Sequence, residues 1–248
     1  MSEPEVVRHP DDEALASAVA DELARQIQSA VAERGVAHVV LTGGGIGIKS
    51  LIKLREVSDR IGLDWSAVHL WWGDERFLPD RDRDRNETQA CEALIDHVGV
   101  PSHQVHPMPS SDGADGDQVD HAGTRYSQEL AVAARGAGPV PAFDVCLLGV
   151  GPDAHVASLF PGLPQVHDDE AAAVGVHDSP KPPPQRVTLT LPSIRAARQV
   201  WLLAAGQSKA DAVRLGLAGG SVDEAPVAGA RGSERTVFWL DEDAASRI

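Results

Sequence analysis

The clearest candidates for proton-transfer chemistry are Asp153 and His155, which follow an apolar run that ends in Gly149-Val150-Gly151. A histidine titrates near neutral pH, so its imidazole can take a proton from water and return it to a leaving group. A nearby carboxylate can orient the ring and stabilise its cation. Alternatively, His155 merely caps a short helix over residues 155–160. Of the ten histidines in the chain, His155 has the richest chemical surroundings.

A glycine-rich turn is the candidate anion site. In LTGGGIGIKS, Thr42 is followed by Gly43, Gly44 and Gly45, directly after an apolar run. Such glycines let backbone N–H groups converge, and the N-terminus of a following helix adds a favourable dipole, which suits a phosphate. The spacing matches neither an ATP-binding P-loop nor Gly-x-Gly-x-x-Gly. The alternative is an ordinary tight turn between a strand and a helix.

Several cations stand close to predicted strand or helix ends. Arg76 follows a buried strand in WWGDERF and either belongs to an ion-paired strand end or faces an anionic substrate. Lys209 opens a helix, where the dipole disfavours a cation, so it is more notable than a solvated surface lysine. Arg186 opens RVTLTL, and Arg198 precedes QVWLL.

Other site classes lack their patterns. There is no Gly-x-Ser-x-Gly element, no plausible cysteine nucleophile and no zinc spacing. His103 and His106 lack companion ligands, so HQVH is interpreted as a loop. Two cysteines in a chain of this length do not form a disulfide framework, and Cys146 is expected to be a buried thiol. We therefore expect neither a metal nor another cofactor.

The length and composition suit one large domain or two small ones, and a single α/β domain over residues 1–248 is expected. The chain is 42% hydrophobic and has a net charge of −15, which disfavours nucleic acid and anionic membrane surfaces as partners. An acidic chain that binds an anionic small molecule must gather its cations at one place. The first ten residues show no signal-peptide pattern, and no run has membrane-spanning length, so a cytoplasmic location is expected.

The predicted elements alternate between helices and unbroken apolar strands. Helices are predicted over residues 11–34, 48–62, 86–97, 119–135 and 208–217, and strands over 37–41, 66–76, 143–151, 186–191, 199–206 and 235–241. A polar loop is predicted over 110–117. This order is typical of a mostly parallel, Rossmann-like sheet with helices on both faces. In such folds, ligands bind beyond the carboxyl ends of the strands, which is where the candidate residues lie.

Six stretches in register give the chain a close resemblance to the 6-phosphogluconolactonase family: LTGGG, WWGDERF, RNETQACEALI, GVGPDAHVASLFPG, PPPQRVTLTLPSI and GQSKADAV. They occur in the family's order, and the resemblance covers about residues 41–239. The resemblance implies the fold shared by glucosamine-6-phosphate deaminases and ribose-5-phosphate isomerases. It also implies metal-independent hydrolysis of 6-phospho-D-glucono-1,5-lactone to 6-phosphogluconate, the second step of the pentose phosphate pathway.

For the site, the resemblance implies that the 6-phosphate lies against the turn at residues 42–45, Arg186 and Lys209, with Arg76 lining the same pocket. Our hypothesis is that His155 is general base to water and then acid to the ring oxygen, supported by Asp153. Backbone N–H groups at residues 149–151 or 43–45 are alternative donors to the developing oxyanion.

Two features depart from the family pattern. The glycine turn reads GGGIG where the family more often ends it in Ser-Thr-Pro, and Ala154 stands where the family usually has glycine. If the backbone at Ala154 has a positive φ, alanine costs of order 1 kcal/mol.

Two other functions remain as alternatives to lactone hydrolysis. A glucosamine-6-phosphate deaminase has Asp-Glu-Tyr where this chain has Asp74-Glu75-Arg76, and Asn-Glu-Pro where it has SLFPG. A non-catalytic sugar-phosphate sensor usually carries a DNA-binding segment. A monomer or a small homo-oligomer is expected.

Overall fold

The computed structural model describes residues 3–114 and 116–248, so Met1, Ser2 and the Asp115 position of the predicted 110–117 loop lie outside the described residues. The helices are α1 Asp12–Arg34, α2 Gly44–Ile61, α3 Asn86–Ala93, α4 Val119–Ala133, α5 Leu191–Arg195 and α6 Ala210–Ala218. The strands are β1 Glu5–His9, β2 Ala37–Leu41, β3 Val68–Trp72, β4 Asp74–Arg76, β5 Val145–Gly149, β6 Ala173–Val176, β7 Arg186–Leu189, β8 Gln199–Ala204 and β9 Arg235–Asp241.

The central sheet has six strands in the order β1-β9-β8-β5-β2-β3, and every neighbouring pair is parallel. Its strands are unbroken apolar runs because both faces are covered: β5 and β8 are buried almost throughout. The predicted class, a mostly parallel α/β fold, is confirmed.

A second, antiparallel sheet of three strands, in the order β4-β7-β6, was not predicted. The strand predicted over residues 66–76 breaks at Gly73, whose N–H donates to Leu41 O (3.1 Å) and whose carbonyl accepts from Leu189 N (2.8 Å). Residues 74–76 therefore leave the parallel sheet. RVTLTL was predicted as one of its strands, but it joins the antiparallel sheet as β7 instead.

Local signals account for the ends of the helices. Asp11 caps α1 by accepting the Ala14 N–H (2.8 Å), and Gly35 ends the helix with φ 76°. The helix predicted over residues 86–97 stops at Ala93 and continues only as a 3-10 turn over Ile95–His97. Residues 155–160 form no helix: Val156 makes isolated antiparallel bridges instead. The interpretation of His155 as a helix cap is therefore wrong.

The direction in which successive strands are added to the central sheet reverses between β2 and β5. From β2 the chain continues to β3 on one side, whereas β5, β8 and β9 follow one another on the other side. In α/β sheets the carboxyl ends of the two strands at such a point border a crevice. Here those ends are joined by the Gly149 N–H, which donates to Thr42 Oγ1 (3.1 Å).

Candidate active site

A cavity of about 150 Å³ opens at the carboxyl ends of β2 and β5. It is lined by Thr42, Gly43, Gly44, Asp74, Arg76, Asn86, Gly149, Val150, Gly151, His155, Ala157, Arg186 and Lys209. The structure thus brings together seven of the nine residues predicted to act in catalysis or phosphate binding. Of the other two, Asp153 lies behind His155, and Gly45 lines an adjoining cavity of about 350 Å³ that shares Gly43, Gly44 and Lys209.

The turn after β5 fixes the orientation of the imidazole. Gly151 N donates to the carbonyl of His155 (2.9 Å), and Ala154 N donates to the carbonyl of Gly151 (3.0 Å). His155 Nδ1 donates to Asp153 Oδ1 (2.5 Å), which leaves Nε2 as the nitrogen without a hydrogen-bond partner among the described residues. The ring also packs on Phe160, with centroids 4.5 Å apart. The imidazole is therefore held with one nitrogen available to a ligand.

The backbone at Ala154 has a positive φ, the conformation in which alanine is less stable than the glycine usual in the family. Its φ is 65°, and its side chain is almost fully buried. Its carbonyl accepts the Val227 N–H (3.0 Å), so the turn is tied to the segment after α6. The chain therefore forms a left-handed conformation here with a residue that has a Cβ.

Asp153 is held in its ionised form by its two hydrogen-bond partners, His155 and Lys181. Burial acts to raise its pKa, but the hydrogen bond and charge of His155, together with Lys181 at 3.1 Å, outweigh burial and hold the pKa well below its usual range. Lys181 belongs to the proline-rich segment SPKPPPQR, and it is not among the site residues predicted from the sequence. Its separation from Asp153 along the chain, 28 residues, hid the contact.

The glycine turn leaves donors available at the start of α2. Gly43 precedes the helix, and no side chain caps it. The first N–H groups of any α-helix lack intrahelical acceptors, so those of Gly44 and Gly45 have no partner in the described part of the chain. In contrast, the N–H groups of residues 149–151 donate to Thr42 Oγ1, Leu203 O and His155 O. Of the two predicted donor sets, the 43–45 turn is the one with unoccupied N–H groups.

Arg76 reaches the cavity from β4 with its guanidinium fixed. Its Nη1 donates to Asn86 Oδ1 (2.7 Å) and to Asp84 O (2.8 Å). Asn86 in turn donates through Nδ2 to Asp74 O (2.8 Å), which ties α3 to β4. Buried Glu75 accepts the backbone N–H groups of Asn86 (2.7 Å) and Glu87 (2.8 Å), so this carboxylate anchors the first turn of α3. Sequence reasoning missed Asn86 because its role depends on this contact between two elements.

Arg186 faces Arg76 across the β4–β7 pair. Its guanidinium donates to the carbonyls of Lys181, Pro182 and Pro183 at 3.1–3.2 Å, and its Nη1 lies 3.9 Å from Asp74 Oδ2. Asp74 Oδ2 also accepts from Ser158 Oγ (2.6 Å). Burial lowers the pKa of Arg186 and the neighbouring Arg76 lowers it further, while Asp74 opposes both. An anion bound beside the two arginines would relieve their repulsion.

Lys209 is the cation in the cavity that lacks a compensating partner. It is half-buried, and its side-chain ammonium group makes no hydrogen bond or salt bridge within residues 3–114 and 116–248. Burial lowers its pKa, the charge of Lys181 lowers it further, and Asp153 opposes the shift. Arg198, also noted in the sequence, instead lies at the opposite end of β8, where it pairs with Asp144 (3.8 Å) and Glu234.

Three further properties of the described residues concern metal binding, membrane-spanning helices and the cysteines. Within the described ranges, no cluster of three or more His, Cys, Asp or Glu side chains has a geometry suited to a metal ion. Over the same ranges, no helix combines the length and apolar character needed to cross a membrane. Both cysteines are free thiols, and Cys146 is buried as expected.

Comparisons with known proteins identify a family. Residues 10–239 match the family model described as glucosamine-6-phosphate isomerases/6-phosphogluconolactonase. A protein of Streptomyces coelicolor named 6-phosphogluconolactonase is 53% identical over 247 residues, covering 99% of this chain and 95% of that protein.

Solved structures agree on the fold. The 6-phosphogluconolactonase structure from Trypanosoma brucei superposes with a TM-score of 0.84 at 28% identity, covering 99% of this chain and 98% of that one. A monomeric glucosamine-6-phosphate deaminase superposes with a TM-score of 0.81, covering 98% of this chain and 100% of that one. At 21% identity, the latter shows the shared fold alone.

Proposed function

Because the chain belongs to the glucosamine-6-phosphate isomerase/6-phosphogluconolactonase family, we propose that it hydrolyses 6-phospho-D-glucono-1,5-lactone to 6-phospho-D-gluconate. The observation that carries the proposal is the placement of His155 and three cations around one cavity. The cations suit a phosphorylated substrate, and the imidazole suits a reaction that moves a proton from water.

The phosphate is proposed to bind between Lys209, the Gly44 and Gly45 N–H groups, and the arginines of β4 and β7. Lys209 supports this role because it is half-buried and lacks an ionic partner among the described residues. Unoccupied N–H groups at a helix N-terminus favour the same ligand. Gathering these groups in one cavity lets a chain of net charge −15 bind an anion.

In the proposed reaction, His155 Nε2 accepts a proton from water as the water oxygen bonds to the lactone carbonyl carbon. The negatively charged Asp153, which accepts the Nδ1–H, stabilises the imidazolium that forms. The tetrahedral intermediate then collapses, the bond between the carbonyl carbon and the ring oxygen breaks, and His155 returns the proton to that oxygen. The net change is addition of one water and release of the ring-opened acid.

The oxyanion of the intermediate needs donors that the fold already holds in place. The N–H groups of residues 149–151 are engaged in the turn and the sheet, so they are poor candidates. The guanidinium groups of Arg76 and Arg186 line the same cavity and are anchored by Asn86 and by the carbonyls of residues 181–183. Either the 43–45 turn or one of these arginines supplies the donor.

A rate measurement tests the function directly. Freshly prepared lactone is followed by spectrophotometry with and without the protein, and we expect decay well above the spontaneous rate. The His155→Asn variant should fold normally, as shown by circular dichroism, yet lose nearly all of this acceleration. Hydrolysis by His155→Asn at the wild-type rate would exclude the assigned role of His155.

Two further assays separate the alternatives. Release of ammonia from glucosamine 6-phosphate would favour a deaminase, whereas phosphosugar binding without turnover would favour a sensor. In this chain Asp74 already accepts a hydrogen bond from Ser158 Oγ (2.6 Å), and Arg76 stands where deaminases carry tyrosine. We therefore expect no ammonia.

The compartment and the assembly state are part of the proposal. A phosphorylated lactone is too polar to cross a bilayer unaided, so its hydrolase must share the compartment in which it forms, for which we propose the cytoplasm. For the assembly state, we propose a monomer or a small homo-oligomer. Light scattering coupled to size-exclusion chromatography would measure the assembly state.

A further inference from the structure

Lys181 makes a three-way contact with the two residues proposed to move the proton. Its Nζ lies 3.1 Å from Asp153 Oδ1 and 3.1 Å from His155 Nδ1. The same carboxylate oxygen accepts the Nδ1–H of His155 at 2.5 Å. Nζ also lies 5.9 Å from the centroid of Phe160, the ring on which the imidazole packs. Asp153 Oδ1 therefore accepts hydrogen bonds from both the Lys181 ammonium group and the His155 imidazole.

The loop that carries Lys181 is fixed before any ligand binds. Four prolines, at positions 180, 182, 183 and 184, restrict its backbone. Ser179 N donates to Pro184 O (3.0 Å), and Ser179 Oγ donates to the carbonyl of Lys181 (2.9 Å), which closes the loop on itself. Arg186 clamps the same segment through its carbonyls. A long and flexible side chain is thus mounted on a rigid base, aimed at Asp153.

The charges of Asp153 and Lys181 act on the imidazole in opposite directions. An isolated ionised carboxylate favours the imidazolium, as in any close pair of opposite charges. An ammonium group on the same oxygen offsets the carboxylate charge and repels a second positive charge nearby. Charged groups face His155 from several elements: Asp153 on its own turn, Lys181 on the 179–186 loop, Lys209 before α6, and Asp74, Arg76 and Arg186 across the cavity. Lys181 is the cation among them that contacts both members of the pair.

We propose that Lys181 is a positioning residue for the hydrolysis proposed above: its ammonium group holds the Asp153 carboxylate and offsets its charge, so that His155 stays neutral and able to accept the proton of water. Lys181 does not line the cavity, so it acts through Asp153 rather than on the substrate. When His155 takes the proton, Asp153 stabilises the imidazolium while Lys181 limits how long that proton stays. Return of the proton to the ring oxygen is favoured accordingly.

The test compares Lys181→Met, which removes the charge, with Lys181→Arg, which retains it. In Lys181→Met, the acid limb of the pH profile of kcat/KM should move to higher pH by about one unit, as expected for loss of a charge some 3 Å away that is partly screened by water. KM on the alkaline side should change little. Lys181→Arg should restore the wild-type profile, and thermal melting should show that both variants fold.

A second measurement does not depend on turnover. The NMR titration of the His155 Cε1–H, identified by its absence from His155→Asn spectra, should show a midpoint about one pH unit higher in Lys181→Met. An unmoved or lower midpoint overturns the inference, as does a uniform rise in KM at all pH values, which would place Lys181 on the substrate. If the wild-type protein does not hydrolyse the lactone but the midpoint rises, the proposed function fails while the charge relationship stands.

Discussion

A Cβ atom at Gly151 would lie 1.9 Å from Nδ1 of His155 and 2.5 Å from Oδ1 of Asp153, so the imidazole rests directly against the backbone of its own turn. No side chain can occupy that position without displacing the ring. The position of the His155 ring therefore requires that residue 151 have no side chain. Glycine is needed here so that the ring can approach the backbone closely, and not because of an unusual φ.

The first prediction concerns Gly151→Ala. The added methyl group should displace the imidazole and lower kcat by at least about a hundredfold, the usual range for loss of general acid–base catalysis. KM should change much less, because the cations lie elsewhere in the cavity. The matched control is Gly99→Ala, where a Cβ would meet nothing within 4 Å. Equal kcat values for Gly151→Ala and wild type would contradict the proposed position of the ring.

A second glycine controls a different part of the site. At Gly43 a Cβ would fall 1.9 Å from Asn86 Oδ1, the atom that accepts from Arg76 Nη1. Gly43→Ala should therefore displace Asn86, release Arg76 and raise KM by about tenfold, the effect of losing one charge-assisted hydrogen bond. Since φ at Gly43 is −82°, the backbone itself tolerates alanine.

A double-mutant cycle isolates this effect. If the clash with Asn86 is the cause, Gly43→Ala should add little to the defect of Asn86→Ala, so the two changes should be strongly non-additive in kcat/KM. Additive losses would mean that Gly43 acts through its own N–H group or through the ligand directly.

A third prediction addresses Ala154, whose φ of 65° is strained for a residue with a Cβ. Ala154→Gly relieves about 1–2 kcal/mol of strain. It also gives up a buried methyl group, worth about 0.8 kcal/mol, and frees the unfolded chain by about 0.5–1 kcal/mol. These terms nearly cancel, so the free energy of unfolding measured in urea should change by less than about 1 kcal/mol, and activity should persist.

Ala154→Val provides the contrast. A β-branched side chain at this φ is worse than alanine, and the position is almost fully buried. Both stability and kcat should fall, since the same turn carries Asp153 and His155. A valine variant as stable and as active as wild type would show that the turn can adopt another conformation.

An element can be predicted from the sequence when its own residues determine it, and not when its place depends on contacts with distant segments. Strands such as Val145–Gly149 are predictable because burial on both faces demands an unbroken apolar run. Glu5–His9 and Ala173–Val176 were missed because they are short and carry little pattern. Arg186–Leu189 has a strand composition, but the sequence does not specify which sheet it joins.

The site divides in the same way. His155, Asp153 and the 42–45 turn were predictable because their chemistry lies within one short stretch each. Lys181 and Asn86 were not recognised, because their roles arise from contacts with Asp153 and Arg76 that only the folded chain creates. Residue type indicates what a side chain can do, whereas its partner is set by packing.

A fourth prediction concerns acid stability, through His38 and His69 at the opposite end of the sheet from the cavity. Burial, followed by the charges of neighbouring histidines, lowers the pKa of each from 6.5 to about 4. Their rings stack at 4.7 Å, and Trp71 Nε1 donates to His38 Nδ1 (3.2 Å). Between pH 6.5 and pH 4 the folded state therefore binds fewer protons than the unfolded state. The contribution of the two histidines to the free energy of unfolding is fully present above pH 6.5 and is lost as the pH falls towards 4.

The expected loss from His38 is of order 2 kcal/mol between pH 7 and pH 4.5, and the more exposed His69 adds less. Urea unfolding at several pH values measures it. In His38→Gln, which keeps an acceptor for Trp71 but cannot titrate, the decline with falling pH should be shallower than in wild type. An equally steep decline in His38→Gln would assign the acid sensitivity to other groups.

The last prediction concerns Lys209, the half-buried cation without an ionic partner among the described residues. If it binds the phosphate, Lys209→Met should raise KM for the phosphorylated lactone by about ten- to a hundredfold, the value of one charged hydrogen bond, with a smaller change in kcat. Unphosphorylated glucono-1,5-lactone should be hydrolysed at similar rates by the variant and wild type. Lys53→Met is the matched control, because Lys53 pairs with Glu13 on α1 and lies outside the cavity. A loss of equal size with both lactones would mean that Lys209 serves the reacting carbonyl and not the phosphate, which would move the oxyanion donor from the turn or the arginines to Lys209.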